Sequence, residues 1–136
     1  MKMKRAIAMI GTLVLLTCSD PYPGFDDVGY FKGETNARIF IVEISGTHDS
    51  KEVASYAHSL MHTDGRLTVA FFYSKKVSWA QALTLTHDFD QAYDIVDERW
   101  KSGDRWDYFY SKGIGGDETF ADCISKPKVA LCGPSR

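Results

Sequence analysis

Apolar residues along the chain fall into continuous runs separated by stretches with helical spacing, and this pattern predicts one small domain. The run 38–45 is almost continuously branched and apolar, which is typical of a strand buried on both faces. Residues 67–73 form a second run of this kind. Between them, Asp49 and Glu52 have the spacing of a capping box, and the apolar residues that follow share one helix face. We expect Gly65 to end this helix, and the two strands to be parallel.

The second half of the chain predicts another helix and a hairpin. Segment 74–86 fits either a short edge strand or a helix. A helix beginning near Asp88 and ending at Gly103 is clearer, because its aromatic and apolar residues recur at helical spacing. Strands are expected at 105–111 and 118–123, joined by a glycine-rich turn. The apolar residues on the helix face are Phe89, Tyr93, Val96 and Trp100.

The predicted element order is β-α-β-α-β-β, which indicates an α/β domain with a mixed sheet and two helices; an α+β arrangement is the alternative. We place this single domain at residues 37–136. The order resembles the core of thioredoxin-like domains in the sequence of elements alone. The chain has no C-x-x-C motif, so the redox chemistry of that family is not implied.

The N-terminus has the pattern of a bacterial export signal. Lys2, Lys4 and Arg5 precede an apolar run at residues 6–17. That run is shorter than the roughly 20 residues needed to cross a bilayer as a helix. A basic head followed by a short apolar stretch is typical of a secretory signal peptide, which we place at residues 1–17. A buried N-terminal helix is the alternative.

The end of this signal resembles the lipobox of bacterial lipoproteins. Leu15, Leu16, Thr17 and Cys18 stand in order after the apolar run, with Thr17 where the family usually has Gly, Ala or Ser. The resemblance implies a lipid on Cys18, and Ser19 in second place resembles the outer-membrane type. Ordinary cleavage nearby, for instance after Ser19, is the alternative. The Pro- and Gly-containing residues that follow predict a flexible tether, so we assign 18–36 to the lipidated cysteine and tether.

The number of cysteines supports the same reading. The chain contains Cys18, Cys123 and Cys132. An odd thiol in an exported protein calls for an explanation, and a lipid on Cys18 supplies one. The other two then form an even pair in an oxidising compartment, which predicts a Cys123–Cys132 disulfide.

Charge argues against a nucleic-acid partner. The whole chain has 16 Lys and Arg against 18 Asp and Glu. Three of the basic residues lie in the export signal, so the exported part is more acidic than the whole. Nucleic-acid binding requires clustered Lys and Arg, and the chain has no such stripe.

Two histidines are weak candidates for a metal site. His58 and His62 are four residues apart, so on one helix they would share a face. Metal sites in proteins need three or four ligands, and the sequence shows only this pair. We therefore expect two solvated histidines, and no metal or other cofactor.

Asp90, Asp94 and Asp97 form an acidic stripe on the second predicted helix. A cation site, an acidic docking face and a solvated helix face all fit this stripe. The solvated face is preferred because the chain lacks the D-x-D-x-D-G pattern of a calcium loop. In this reading Asp97 pairs with Lys101 one turn later.

Aromatic residues in the second half are the strongest candidates for a contact surface. Trp106, Tyr108 and Tyr110 alternate along the predicted strand 105–111, so they would point to one face. Trp and Tyr often anchor protein interfaces, and we predict these three as partner-binding residues. The alternative is a sheet covered on both faces, with the aromatic residues in the core.

Together these features predict an exported envelope lipoprotein on the periplasmic side of the outer membrane; a soluble periplasmic or secreted protein is the alternative. We expect a non-enzymatic protein-binding domain, either an accessory subunit of an envelope machine or an inhibitor or immunity-type protein. The sequence has no G-x-S-x-G motif for a nucleophile. The alternatives are a small periplasmic hydrolase with carboxylates from distant segments, and a module that binds a metal or small ligand.

Overall fold

The structure is a computed structural model that describes residues 19–135. The predicted signal peptide and Cys18 lie outside the described residues. In chain order the strands are β1 (Phe25–Lys32), β2 (Arg38–Ile44), β3 (Thr68–Tyr73), β4 (Tyr108–Lys112) and β5 (Glu118–Asp122). The helices are α1 (Ser50–Ser59) and α2 (Phe89–Lys101), with 3₁₀ helices at Ser78–Leu85 and Ala130–Cys132.

The five strands form one mixed sheet in the order β1-β2-β3-β4-β5. Strands β2 and β3 are parallel and are connected by α1, whereas the three other pairs are antiparallel. The α/β class and the mixed sheet predicted from the sequence are confirmed. The glycine-rich segment is the tight turn of the β4–β5 hairpin, in which the Gly113 N–H donates to the Asp117 carbonyl at 2.8 Å.

Helices cover the central strands of the sheet on both faces. On one face α1 places Val53 and Ala57 against the alternate strand residues Val42, Ala70 and Phe72. On the other face α2 and the 3₁₀ helix Ser78–Leu85 pack on the opposite set. That set includes Ile39, Ile41, Val69, Phe71 and Phe109. Because β2 and β3 are buried on both faces, their sequences are apolar throughout, as the pattern indicated.

Strand β1 corrects the predicted domain boundary. Residues 18–36 are predicted to be a tether, yet Phe25–Lys32 forms a strand that pairs with β2. The pairing is antiparallel, with Phe25 opposite Ile44 and Lys32 opposite Arg38. Phe25 and Phe31 are buried in the cores on the two faces of the sheet. The domain therefore includes at least residues 25–36, and only a short lead-in precedes β1 within the described part.

The first helix ends earlier than predicted. Asp49 and Glu52 form the predicted capping box, but α1 stops at Ser59, with Leu60 as its C-cap. Gly65 has a positive φ of 75° in the turn before β3 and does not cap the helix. Segment 74–86, which the sequence left open, contains the 3₁₀ helix Ser78–Leu85. Among the described residues, no helix is both long and apolar enough to cross a membrane.

Candidate functional site

The loops that carry most of the candidate chemistry lie at one end of the sheet. Phe25 at the start of β1 pairs with Ile44 at the end of β2, and β3 ends beside the start of β4. Asp122 at the end of β5 pairs with Tyr108. The loops after β2, β3 and β5 and the lead-in to β1 therefore share this end. Ligand sites of parallel sheets form at the carboxyl ends of the strands, and the parallel strands β2 and β3 both end here.

Glu43 fixes the loop that follows β3. Its carboxylate is buried and accepts hydrogen bonds from the Val77 N–H at 2.8 Å and from Lys76 Nζ at 3.0 Å. Burial alone would raise the pKa of Glu43, but these donors and the Lys76 charge outweigh it and hold the pKa below its ordinary value. Glu43 is therefore an ionised group that positions residues 76–77.

Two further carboxylates hold the neighbouring loops. Asp104 accepts from Lys75 Nζ at 2.9 Å and from the Trp79 indole N–H at 3.1 Å. The hydrogen bond from Lys75 is the main reason that the pKa of Asp104 is lowered. Asp107 accepts from the Ser74 N–H at 2.6 Å. Both carboxylates are thus engaged in hydrogen bonds with the segment that follows β3, Asp104 with side chains and Asp107 with the backbone.

A pocket of about 240 Å³ lies between the lead-in to β1 and the start of α1. His48 in this pocket uses both ring nitrogens: Nε2 lies 3.0 Å from the Ser45 carbonyl oxygen and Nδ1 lies 3.3 Å from a Glu52 carboxylate oxygen. Ser55 Oγ lies 3.4 Å from the Tyr22 hydroxyl. His48 and Ser55 are therefore not arranged as a general base and nucleophile, which need a direct hydrogen bond.

The segment Cys123–Cys132, which we call the disulfide loop, is a constrained segment at this end of the sheet with exposed residues between its cysteines. Cys123 and Cys132 form a disulfide with a Cα–Cα distance of 5.4 Å, which confirms the predicted pairing. The Trp100 indole donates to the Cys132 carbonyl at 3.1 Å, and the Trp106 indole donates to the Leu131 carbonyl at 3.0 Å. These contacts attach the C-terminal side of the loop to the core.

Asp122 shapes the other side of the disulfide loop. One carboxylate oxygen accepts from the N–H groups of Ile124 and Ser125 at 3.1 and 3.0 Å, and the other accepts from the Ser125 hydroxyl at 2.9 Å. The Lys126 N–H closes the turn onto the Asp122 carbonyl at 3.0 Å. An aspartate that receives backbone N–H groups two and three residues later stabilises a tight turn. Both sides of the loop are therefore held in place.

The disulfide loop presents apolar and cationic side chains to solvent. Residues 124–130 are all exposed, and Ile124 and Val129 are 58% and 41% exposed. Lys126 and Lys128 lie between them and make no ion pair with any residue in the described range. An ordered loop loses little conformational entropy on binding, so exposed apolar groups on it are suited to a contact surface.

The three aromatic residues predicted as partner-binding are core residues. Trp106, Tyr108 and Tyr110 are only 3%, 6% and 2% exposed. Trp106 lies outside β4 and packs on the α2 side of the sheet, against Phe71, whereas the two tyrosines face α1. The prediction that they form an exposed face is wrong, because α1 covers the face to which the tyrosines point.

His58 and His62 do not share a helix face, because His62 follows the end of α1. His58 Nδ1 lies 3.0 Å from Glu118 Oε1, and His62 Nδ1 lies 2.8 Å from the Thr68 hydroxyl. Burial lowers the pKa of His62. Within residues 19–135, no cluster of three or more His, Cys, Asp or Glu side chains is placed to hold a metal ion.

The acidic stripe on α2 is split between solvent and core. Asp97 is buried and accepts from the N–H and hydroxyl of Ser135, so it attaches the C-terminal segment to α2. The predicted Asp97–Lys101 pair is wrong, since Lys101 Nζ lies 3.0 Å from Glu98. Asp90 and Asp94 remain on the outer side of α2.

The exposed residues of the disulfide loop are the candidates that sequence reasoning did not identify. The sequence did contain a signal for them, since Pro127 lies between two lysines within a segment bounded by two paired cysteines.

Comparison of the chain with protein-family models, curated proteins and solved structures finds no match.

Proposed function

We propose that this chain is an exported envelope lipoprotein, anchored through a lipid on Cys18, whose domain binds another protein through the disulfide loop. The signal pattern of residues 1–17 and the lipobox resemblance support export and anchoring. The observation that carries the binding role is the disulfide loop, which is fixed at both ends and exposes Ile124 and Val129. Interfaces of this kind derive most of their affinity from a few anchoring side chains.

The length of the tether supports a partner close to the membrane. From Cys18 to Phe25 the chain can extend by about 25 Å at most. The disulfide loop lies at the same end of the sheet as Phe25, four strand spacings or roughly 19 Å across it. A lipid on Cys18 would hold this end of the domain near the bilayer, which favours a partner protein at the membrane surface.

Lipid labelling tests the anchor. Cells that express the full chain are fed a palmitate analogue, and we expect label on the wild type and none on Cys18→Ser. An unlabelled mature protein that begins after Cys18 contradicts the anchor and supports ordinary cleavage.

Capture from detergent-solubilised membranes tests the binding surface. We expect the wild type to recover a stoichiometric partner, and the double variant Ile124→Ala/Val129→Ala to recover at least about tenfold less, as loss of interface anchors predicts. Leu85→Ala is the matched control, because Leu85 is 79% exposed on the 3₁₀ helix that packs on β1, at the opposite edge of the sheet from β5. Equal recovery by all three proteins contradicts the proposed surface, provided that their melting temperatures agree.

A further inference from the structure

The two edge strands of the sheet differ in what packs on them. Strand β1 is one edge strand, and the 3₁₀ helix Ser78–Leu85 packs closely on the face of β1 that carries Phe31. A Cβ on Gly29, two residues before Phe31, would lie 2.6 Å from the Ala80 carbonyl oxygen. Strand β5 is the other edge, and among the described residues it pairs only with β4. Glu118 and Thr119 at its start are exposed.

The hydrogen-bond pattern of the hairpin shows which peptide groups of β5 point outwards. The Gly113 N–H donates to Asp117 at the turn, and the Cys123 N–H donates to Asp107 at the far end, at 2.8 and 2.9 Å. Antiparallel pairing alternates between residues that face the neighbouring strand and residues that face away. Thr119 and Ala121 therefore face β4, while the N–H and C=O groups of Glu118 and Phe120 face away from the sheet.

We propose that β5 accepts an extended segment of the partner protein as a sixth strand. This inference rests on the proposed function and specifies how the partner is recognised. Strand addition at an open edge takes its affinity from main-chain hydrogen bonds and its specificity from alternate side chains. The outward N–H and C=O groups of Glu118 and Phe120 supply the main-chain part.

The charged side chains on β5 determine which kind of segment can pair with this strand. Glu118 and Asp122 lie on the same face of the strand, on either side of Phe120. Glu118 accepts from the Tyr110 hydroxyl and contacts His58. Among the described residues, the side chain of Asp122 accepts only from uncharged groups, which are two backbone N–H groups and the Ser125 hydroxyl. In a second copy of this chain paired antiparallel about Phe120, each Glu118 would oppose an Asp122, and like charges opposite one another are destabilising. The segment that fits carries basic residues opposite both acids and an apolar residue opposite Phe120.

The space beside β5 links this edge to the disulfide loop. A pocket of about 430 Å³ is lined by Phe120, Asp122, Lys126, Val129 and Leu131, among others. A side chain of the added strand can enter this pocket and contact Val129. One partner can therefore occupy both the edge and the disulfide loop as a continuous surface.

Photo-crosslinking in cells separates the edge from the loop. A benzophenone amino acid replaces Thr119 on β5, Lys128 on the disulfide loop, or Lys32 on the opposite edge strand β1 in the full chain. We expect the same heterologous product from Thr119 and Lys128, and none from Lys32. A product from Lys128 alone overturns strand addition and leaves the proposed function standing. If neither Thr119 nor Lys128 gives a product, both strand addition and the proposed function are contradicted. A product from Thr119 alone contradicts binding through the disulfide loop. A product of twice the chain mass shows that the occupant is a second copy of this chain and overturns the heterologous partner.

Amide hydrogen exchange on the complex captured by the wild type tests for a strand. In the free protein we expect fast exchange at Glu118 and Phe120, and slow exchange at Thr119 and Ala121, which already bond to β4. Addition of a strand slows the Phe120 amide by at least about tenfold and leaves Thr119 and Ala121 unchanged. A complex in which Phe120 still exchanges as fast as in the free chain overturns the proposal.

Discussion

Glu43 illustrates how single residues shape this molecule. A carboxylate at the end of a buried strand is stable only when its oxygens receive donors, and the Val77 N–H and Lys76 supply them. Asp104 and Asp122 act in the same way on the segments they contact. Each of these acids fixes a loop at the end of the sheet where the disulfide loop lies, so their contribution is to order that end of the molecule.

Replacement of Glu43 by Gln should lower the free energy of unfolding at pH 7 by about 1–3 kcal/mol, because a buried charged hydrogen bond is lost. The folded-state pKa of Glu43 is lowered, so its contribution is complete above the ordinary value of 4.5 and is lost as pH falls below it. The difference between wild type and Glu43→Gln should therefore shrink in acid. Urea unfolding at several pH values measures this, with exposed Glu34→Gln as the control. A difference that grows in acid contradicts the assignment.

The buried aromatic residues give a second prediction at this scale. Trp106→Ala, Tyr108→Ala and Tyr110→Ala should each lose about 3–5 kcal/mol of stability, as expected for large side chains removed from a core. Thermal melts measure the loss, and Ile114→Ala on the exposed hairpin turn should melt like the wild type. Wild-type melting of all three aromatic variants would mean that these side chains are not core residues.

At the scale of elements, the sequence pattern predicted the features that depend on neighbouring residues in the chain. The predicted strands 38–45 and 67–73 match β2 and β3 closely, and Asp49 caps α1 as its spacing indicated. Strand β1 was missed because its acidic and glycine residues are typical of a loop, and it is stabilised by pairing with the distant β2. The side chains of Tyr108 and Tyr110 are covered by α1, which lies about fifty residues earlier in the chain.

The same distinction applies to the candidate site. Cysteine parity predicted the Cys123–Cys132 bridge without any structure. The exposure of Ile124 and Val129 depends on how the disulfide loop is held against the core, and the Trp100 and Trp106 indoles hold its C-terminal side. Those contacts join segments more than twenty residues apart in the chain, so the local sequence pattern does not predict them.

The disulfide loop carries the prediction at this scale. In protein taken freshly from the envelope, Cys123 and Cys132 should resist alkylation until a reductant is added. The double variant Cys123→Ser/Cys132→Ser should lose about 2.5–3 kcal/mol on the chain-entropy model for so short a loop. Mass spectrometry after alkylation and urea unfolding provide the two measurements. Free thiols in unreduced protein contradict the bridge.

At the scale of the whole molecule, the domain combines an acidic body with a basic, apolar disulfide loop. The chain has more acidic than basic residues, yet the loop places Lys126 and Lys128 beside Ile124 and Val129. An anchored domain with this loop at its membrane-proximal end would meet a partner with an apolar recess bordered by acidic groups. Charge complementarity of this kind mainly accelerates association and rejects other partners.

The central claim is that the disulfide loop is the surface that binds the partner, and reversal of its charge tests this most directly. Capture from membranes is compared among the wild type, Lys126→Glu/Lys128→Glu and the control Lys32→Glu, in which the replaced lysine is exposed on β1, at the opposite edge of the sheet from β5. We predict that the loop variant recovers at least about tenfold less partner, since like charges at an interface are unfavourable, whereas Lys32→Glu recovers the wild-type amount. Wild-type recovery by a correctly folded loop variant would contradict the account.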